Sequence, residues 1–315
     1  MAQLVAQREV FGNTLVELAD LYPKLLVLDG DLANSTRTDI IAMKRPERFY
    51  QMGIAEQNMV GVAAGLATVG FTPWVTTFTV FLASRALDQI RMVVAQTGLD
   101  VKFGAGYCGL MTNRTGKTHQ EVEDVSIMRA MPNMVVISPA DGPETRAAMH
   151  AAMKYKGPVY LRLVRDALPV IFPDDVDFEI GKGRVLREGG DIAIISTGTQ
   201  SVRALQAAEL LAEEGIQAHV LHLPTVKPLD EAAIIQAAER TNLVLTTEEH
   251  TIIGGLGGAV AEVLGEHRPT RLKRHGLNDV WGASASNEDL IEAYGLTPRH
   301  VAAAARELLT VKALR

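Results

Sequence analysis

The chain has 315 residues, of which 47% are hydrophobic and 22% charged, and its net charge is −6. That composition belongs to a folded globular protein with room for two domains, and the acidic balance argues against a binder of phosphate backbones. The one cysteine, Cys108, excludes an intrachain disulfide and any cysteine-based metal site, and fits a reducing compartment.

The N-terminal stretch from Met1 to Val10 is of mixed polarity and lacks an apolar signal core. Short β-branched runs then alternate with segments of helical period. This pattern predicts an α/β fold of two domains, each a mainly parallel sheet flanked by helices. Strands are predicted at 25–29, 73–77, 101–105, 134–138 and 159–163, and helices at 58–69, 80–96, 122–130 and 143–156. The longest apolar stretch, Met59 to Val69, is broken by Gly61 and Gly65 and is too short to span a bilayer, so a soluble, cytoplasmic chain is expected. From 166 to 190 the composition shifts to Pro169, Pro173, a run of acids and four glycines, which predicts a mobile connector. Strands at 191–197, 218–223 and 242–247 follow, with helices at 202–214 and 230–240. A glycine run, 254–258, opens a further helix. The domains are thus expected at 1–180 and 181–315.

Four polar clusters fall at strand ends or loops, where open α/β sheets bind ligands. They are Asp29-Gly30-Asp31 with Asn34 and Ser35, Glu56-Gln57-Asn58, Gly116-Lys117-Thr118-His119-Gln120-Glu121, and Arg162 to Asp166. Each also has an ordinary structural reading. Glu56 suits a helix N-terminus, Asp29 and Asp31 suit turns, and His119 and Arg165 could be surface groups.

The combination carries more than its parts. Gly53-Ile54-Ala55-Glu56-Gln57-Asn58-Met59, followed by Gly61 and a helix of small residues, resembles the catalytic-glutamate motif of transketolases. Gly116-Lys117-Thr118-His119-Gln120 resembles their Gly-Pro-Thr-His-Gln loop, and Asp31-Leu32 with Ser35 resembles their Asp-Leu-Thr-Pro-Ser-Asn segment. Order and spacing agree with the second and third domains of that family over nearly the whole chain. The resemblance implies thiamine diphosphate, whose own amino group becomes basic when a carboxyl in a dry pocket bonds the far ring nitrogen. Glu56 is the implied carboxyl. Phe78 and Phe81 are the implied stacking rings for the aminopyrimidine, and Asp31 the acidic residue near the thiazolium. His119 would contact sugar hydroxyls, since an imidazole can donate or accept near neutral pH. Arg8, Ser35 and Arg165 would hold a sugar phosphate, arginine forks suiting that dianion.

Two departures bear on substrate. Gly106-Tyr107-Cys108-Gly109 stands where transketolases carry Thr-His-Asp-Ser, and Thr115 stands in place of an aspartate that bonds the donor hydroxyl. A ketose phosphate is expected as donor, with a branched or modified sugar left open by these departures, and an aldose as acceptor. A larger departure is that Asp29-Gly30-Asp31 is not the Gly-Asp-Gly…Asn motif that holds Mg2+ and diphosphate. The resemblance then implies a partner, an N-terminal transketolase subunit carrying the Mg2+ and diphosphate site, in an α2β2 assembly. Glu248, Glu249 and His250 precede the glycine run and read as structural or interface groups. The alternatives are the β subunit of a 2-oxoacid dehydrogenase, a 1-deoxyxylulose 5-phosphate synthase, and a non-catalytic regulatory subunit.

Overall fold

A computed structural model describes residues 3–313. Its strands are β1 (Leu4–Ala6), β2 (Leu25–Asp29), β3 (Phe49–Gln51), β4 (Thr72–Phe78), β5 (Lys102–Gly106), β6 (Val135–Ile137) and β7 (Val159–Leu163). They continue with β8 (Ala167–Pro169), β9 (Arg184–Arg187), β10 (Ile192–Ser196), β11 (Ala218–His222), β12 (Thr225–Lys227), β13 (Leu243–Thr251) and β14 (Arg271–Leu277). The first sheet has the order β12-β6-β7-β5-β4-β2-β3 and is parallel except for β12. The second has the order β14-β13-β10-β11-β9 and is parallel except for β9.

Strands β2, β4, β5 and β7 are buried along their whole length. A parallel sheet covered by helices on both faces requires this, and it is why these strands read as continuous apolar runs. On one face Val75, Phe103 and Tyr160 pack against the helix Glu56–Thr68 through Met59, Val60 and Ala63. On the other, Trp74 and Leu161 pack against Phe11 and Leu15 of the helix Gln7–Leu21. The helix Gly142–Lys154 starts as its sequence implies. Asp141 accepts from Glu144 N at 3.0 Å, Pro143 stands in the first turn, and the Glu144 carboxylate bonds back to Ala140 N at 2.7 Å.

Two expectations are corrected, and one strand crosses between the halves. The segment predicted as one helix over 80–96 is broken into π-helical turns, Phe81–Arg85 and Ile90–Ala95, around the short helix Leu87–Gln89. The stretch predicted as a mobile connector is tied down. Strand β8 pairs with β1, β9 edges the second sheet, Phe172 and Val176 are buried, and Asp141 Oδ2 accepts from Ile171 N and Phe172 N at 2.8 Å each. Pro169 ends β8 opposite Leu4, while Pro173, whose carbonyl accepts from Val176 N, and Gly181, at φ 87°, serve turns on a packed path. Finally, β12, three residues from the C-terminal half, adds an antiparallel edge strand to the first sheet.

Candidate active site

The carboxyl ends of β2, β4, β5 and β7 lie along one edge of the first sheet, because these strands run parallel and in register. Every residue cluster singled out in the first half of the chain follows from one of these strand ends or from a loop beside it.

Strand β2 ends on Asp29, which is fully buried. Its Oδ2 accepts from the hydroxyls of Thr36, Thr38 and Thr76 at 3.0, 2.8 and 2.9 Å, and its Oδ1 accepts from Leu32 N at 2.7 Å. Asp29 therefore shapes the turn. Asp31 has φ 68°, is exposed, and donates its N–H to Gln51 Oε1 at 2.9 Å. The short helix Ala33–Thr36 then carries Ser35, whose carbonyl accepts from Arg8 Nη1 at 3.3 Å. Arg8 Nε is buried with no partner among the described residues.

An aromatic group sits at the ends of β4 and β5. Phe78 stacks on Tyr107 with ring centroids 4.0 Å apart and on Phe81 at 5.7 Å. His119 meets Phe78 and Phe81 edge-on at 6.0 and 5.6 Å. The Tyr107 hydroxyl accepts from Arg165 Nε at 3.1 Å, and Arg165 Nη1 pairs with Asp166 at 2.6 Å. Glu56, 4% exposed at the start of its helix, receives Arg85 Nη1 at 3.0 Å, and the Arg85 guanidinium lies 3.9 Å over the Phe81 ring. Arg165, Tyr107, Phe78, Phe81, Arg85 and Glu56 thus form one continuous chain of contacts, with His119 against its centre. Arg8 and Ser35 make a separate pair, and among the described residues no hydrogen bond joins the two groups.

Sequence reasoning missed Arg85. It stands four residues after Phe81, the spacing at which side chains meet on a helix, but nothing in the sequence ties it to Glu56. It also missed how the His119 loop is held. Gln120 is buried and donates to Leu110 O and Ala283 O at 3.3 and 2.9 Å. Asn113 N donates to Asn287 at 2.8 Å, and Ser284 donates to Arg114 O at 2.7 Å. A Cβ at Gly282 would collide with the buried Gln120 and Leu110 side chains, so any larger residue there must displace them for this strap from the C-terminal half to lie against the loop. Thr115 is bonded to Thr112 across the same loop at 2.5 Å.

The three polar residues before the glycine run hold structure. Glu248 accepts from Leu256 N and Gly257 N at 2.7 and 2.8 Å, capping the helix Leu256–His267. Glu249 accepts from Leu110 N, Met111 N and Thr199 Oγ1 at 2.8, 3.1 and 2.8 Å, which bridges the two halves. His250 Nε2 faces Ser126 N at 3.4 Å. A second bridge has the residue types of a hydrolytic triad. His222 bonds Glu144 at 2.8 Å and Ser201 at 2.6 Å, but all three are buried and no substrate reaches them.

The residues present fit an aminopyrimidine. Flat rings at Phe78 and Phe81 stand beside a dry carboxyl at Glu56, and the buried Thr77 Oγ1, next to Phe78 in sequence, has no partner among the described residues. Among the described residues no group of three or more His, Cys, Asp or Glu side chains could hold a metal ion. None of the helices described is long and apolar enough to cross a membrane.

The parallel sheet that carries Glu56 and the Phe78–Phe81 pair at its carboxyl edge belongs to the pyrimidine-binding class of domain found in thiamine-diphosphate-dependent transferases. The transketolase pyrimidine-binding domain matches residues 3–170 and the transketolase C-terminal domain matches residues 181–301, and the chain belongs to the transketolase family. It is similar to a solved split-gene transketolase, an inactive beta4 tetramer, with TM-score 0.91 and 47% identity over 97% of this chain and 99% of that one. It is 41% identical to a 6-deoxy-6-sulfo-D-fructose transketolase subunit of Clostridium sp. (strain MSTE9), covering 98% of this chain and 96% of that protein. It is 34% identical to one subunit of the apulose-4-phosphate transketolase of Phocaeicola vulgatus, covering 97% of this chain and 98% of that protein. These matches span whole subunits of split enzymes, and the chain is a transketolase-like subunit of that kind.

Proposed function

We propose that this chain supplies the aminopyrimidine half of a thiamine-diphosphate site, and that an N-terminal transketolase subunit supplies Mg2+ and the diphosphate half in a cytoplasmic α2β2 enzyme. The reading rests on one observation above others, the buried Glu56 carboxyl beside the Phe78 and Phe81 rings at the carboxyl edge of the sheet. Bound there, the coenzyme supplies the carbanion chemistry that moves a two-carbon ketol unit. Glu56 bonds the far nitrogen of the aminopyrimidine, Phe78 and Phe81 stack on the ring, and Asp31 stands toward the thiazolium. His119, seated edge-on to the same rings, donates to or accepts from substrate hydroxyls. Arg8, Ser35 and Arg165 hold the anionic end of the sugar, the unpartnered Arg8 Nε supporting that role.

The need for a second chain is supported by a surface beside the site. Gly61, Val62, Gly65 and Val69 are exposed along one face of the Glu56–Thr68 helix and just past its end, and nothing lies within 4 Å of a side chain built at Gly61 or Gly65. Exposed Ile54, Met92 and Val93 lie in the flanking segments. Exposed apolar and small residues on this helix and its flanking segments are a place for a partner. The donor is a ketose phosphate or a related anionic sugar that is branched or modified, and the acceptor an aldose. Tyr107 and Thr115 in place of the usual polar pair support this, as do relatives named for a sulfo-sugar and for apulose phosphate.

Calorimetry of thiamine diphosphate with Mg2+ tests the reading, first with the chain alone and then with a co-expressed N-terminal subunit. Tight binding only by the mixture is expected. In that mixture Glu56→Gln lowers turnover by orders of magnitude while the chain still folds. Tight binding by the chain alone, or full turnover with Glu56→Gln, overturns it.

A further inference from the structure

Glu56 and the Phe81 face, two surfaces that the proposed coenzyme site requires, are both engaged by a side chain of the same protein. Arg85 Nη1 lies 3.0 Å from Glu56 Oε1, and its guanidinium carbon lies 3.9 Å over the centroid of Phe81. A guanidinium is planar, donates hydrogen bonds in its own plane and stacks on aromatic faces. It therefore satisfies a carboxyl with its edge and an aromatic ring with its face, as a flat aminopyrimidine would. The two compete for the same groups. A ring nitrogen that bonds Glu56 Oε1 must take the place of Arg85 Nη1, and a ring that stacks on the face of Phe81 covered by the guanidinium must push it aside.

We propose that Arg85 is a displaceable occupant of the aminopyrimidine site. In the free chain it neutralises Glu56 and covers Phe81. When the coenzyme docks, Arg85 swings into solvent and Glu56 takes a proton from water, which it then shares with the ring nitrogen. Coenzyme docking is thereby coupled to breaking an ion pair and to uptake of a proton. The inference rests on the reading of Glu56 as the carboxyl that bonds the coenzyme.

The local structure suits such a motion. The Arg85 side chain is 49% exposed whereas that of Glu56 is 4% exposed, so Arg85 leaves toward water without opening the core. It ends the π-helical turn Phe81–Arg85, and side-chain rotation alone carries the guanidinium off the ring. Among the described residues Arg85 is the one ionic partner of Glu56, and the other titratable ring on Phe81 is His119, edge-on at 5.6 Å. While Arg85 is in place the buried carboxylate is not left unpaired, an arrangement that would be costly before any ligand arrives.

The test is calorimetry of thiamine diphosphate with Mg2+ into the assembled heteromeric enzyme, at one pH in buffers of different ionisation heat, so that affinity and proton uptake are both read. Arg85→Met keeps the length of the side chain but removes its charge and donors. It is expected to tighten coenzyme binding about fivefold or more, the scale of a half-exposed ion pair with a cation–π contact, and to reduce proton uptake below that of the parent. Arg85→Gln repeats the measurement should the methionine variant fold poorly. Unchanged or weaker coenzyme binding in the folded variants overturns the proposal, because an arginine that stays to support Glu56 would be missed rather than relieved. Glu56→Gln separates the two readings. If it leaves proton uptake and turnover intact, the assignment of Glu56 itself falls. If it abolishes both while the Arg85 variants bind no tighter, only the displacement falls.

Discussion

Removing the carboxylate of Glu249 should loosen the junction between the two halves of the chain. Its Oε1 accepts from Leu110 N at 2.8 Å and Met111 N at 3.1 Å, and its Oε2 accepts from Thr199 Oγ1 at 2.8 Å. Arg203 Nη1 lies 3.4 Å from the same Oε2, and the Arg203 side chain is 13% exposed. In Glu249→Ala three donors lose their acceptor, each costing about 1–3 kcal/mol if water does not replace it. Arg203 is also left as a buried cation without its anion, a change that by itself costs about 3–5 kcal/mol. These terms share one group and do not add, so a total of about 3–5 kcal/mol is expected. Glu249→Gln keeps one carbonyl oxygen for Leu110 and Met111 and should lose about half as much. Urea denaturation should be followed by far-ultraviolet circular dichroism and by fluorescence, since Trp74 is buried in the first sheet and Trp281 lies exposed in the C-terminal half. Glu249→Ala should shift the transition to lower urea or split it into separate steps for the two halves. A loss below about 1 kcal/mol with one unsplit transition would refute the view that this carboxylate fastens them.

Other perturbations probe the remaining buried polar groups. Asp29→Ala strands three threonine hydroxyls and one N–H, and is expected to cost about 3 kcal/mol in the same urea assay and to weaken phosphate binding by disordering the turn that carries Ser35. His275 is kept neutral by burial, its pKa pushed down from 6.5 to about 4. Unfolding then binds a proton that the fold excludes, so stability falls as pH drops from about 6.5 to 4, by at most about 3 kcal/mol, and His275→Gln flattens that limb. Glu121 runs the other way. Burial, with Asp124 beside it, pushes its pKa from 4.5 up to about 8, so its contribution to stability is full below pH 4.5 and is lost as pH rises toward 8. Glu121→Gln should remove that alkaline slope in thermal melts taken across the range.

How far the sequence reads depends on how local each cause is. Strands β2 and β7 were legible to the residue because a strand buried on both faces must be a short apolar run bounded by turn residues. Asp141, Pro143 and Glu144 announce their helix for the same reason, since a cap is a local device. The helix predicted over 80–96 fails because its helical period survives while the turns widen to π geometry, which composition does not register. The segment after 166 fails because its prolines and glycines are consistent with loose chain or with a pinned turn, and only long-range partners such as β1 and Asp141 decide between them. Glu56, Phe78, Phe81 and His119 are picked out in the sequence by the motifs around them, and the fold brings them into one group of contacts. Arg85 is not picked out, because its pairing with Glu56 spans 29 residues and needs the sheet to bring it about.

The C-terminal half holds the loop that carries His119. The loop that carries His119 passes through Asn113 and Gly116 with positive φ, at 64° and 75°, conformations that a free loop would not hold uniformly. Asn287 bonds the backbone at Asn113, Ser284 bonds Arg114, and Ala283 accepts from Gln120, so the loop is clamped from outside its own domain. Glu249 holds the other end of the same loop at Leu110 and Met111. With both ends fixed, His119 keeps its edge against Phe78 and Phe81, and the geometry at these rings becomes a property of the domain junction rather than of the loop sequence. Substitutions at Gly282 or Glu249, remote from any reacting atom, should for that reason act on turnover through the placement of His119, as expected where a site is pre-organised by its supporting shell.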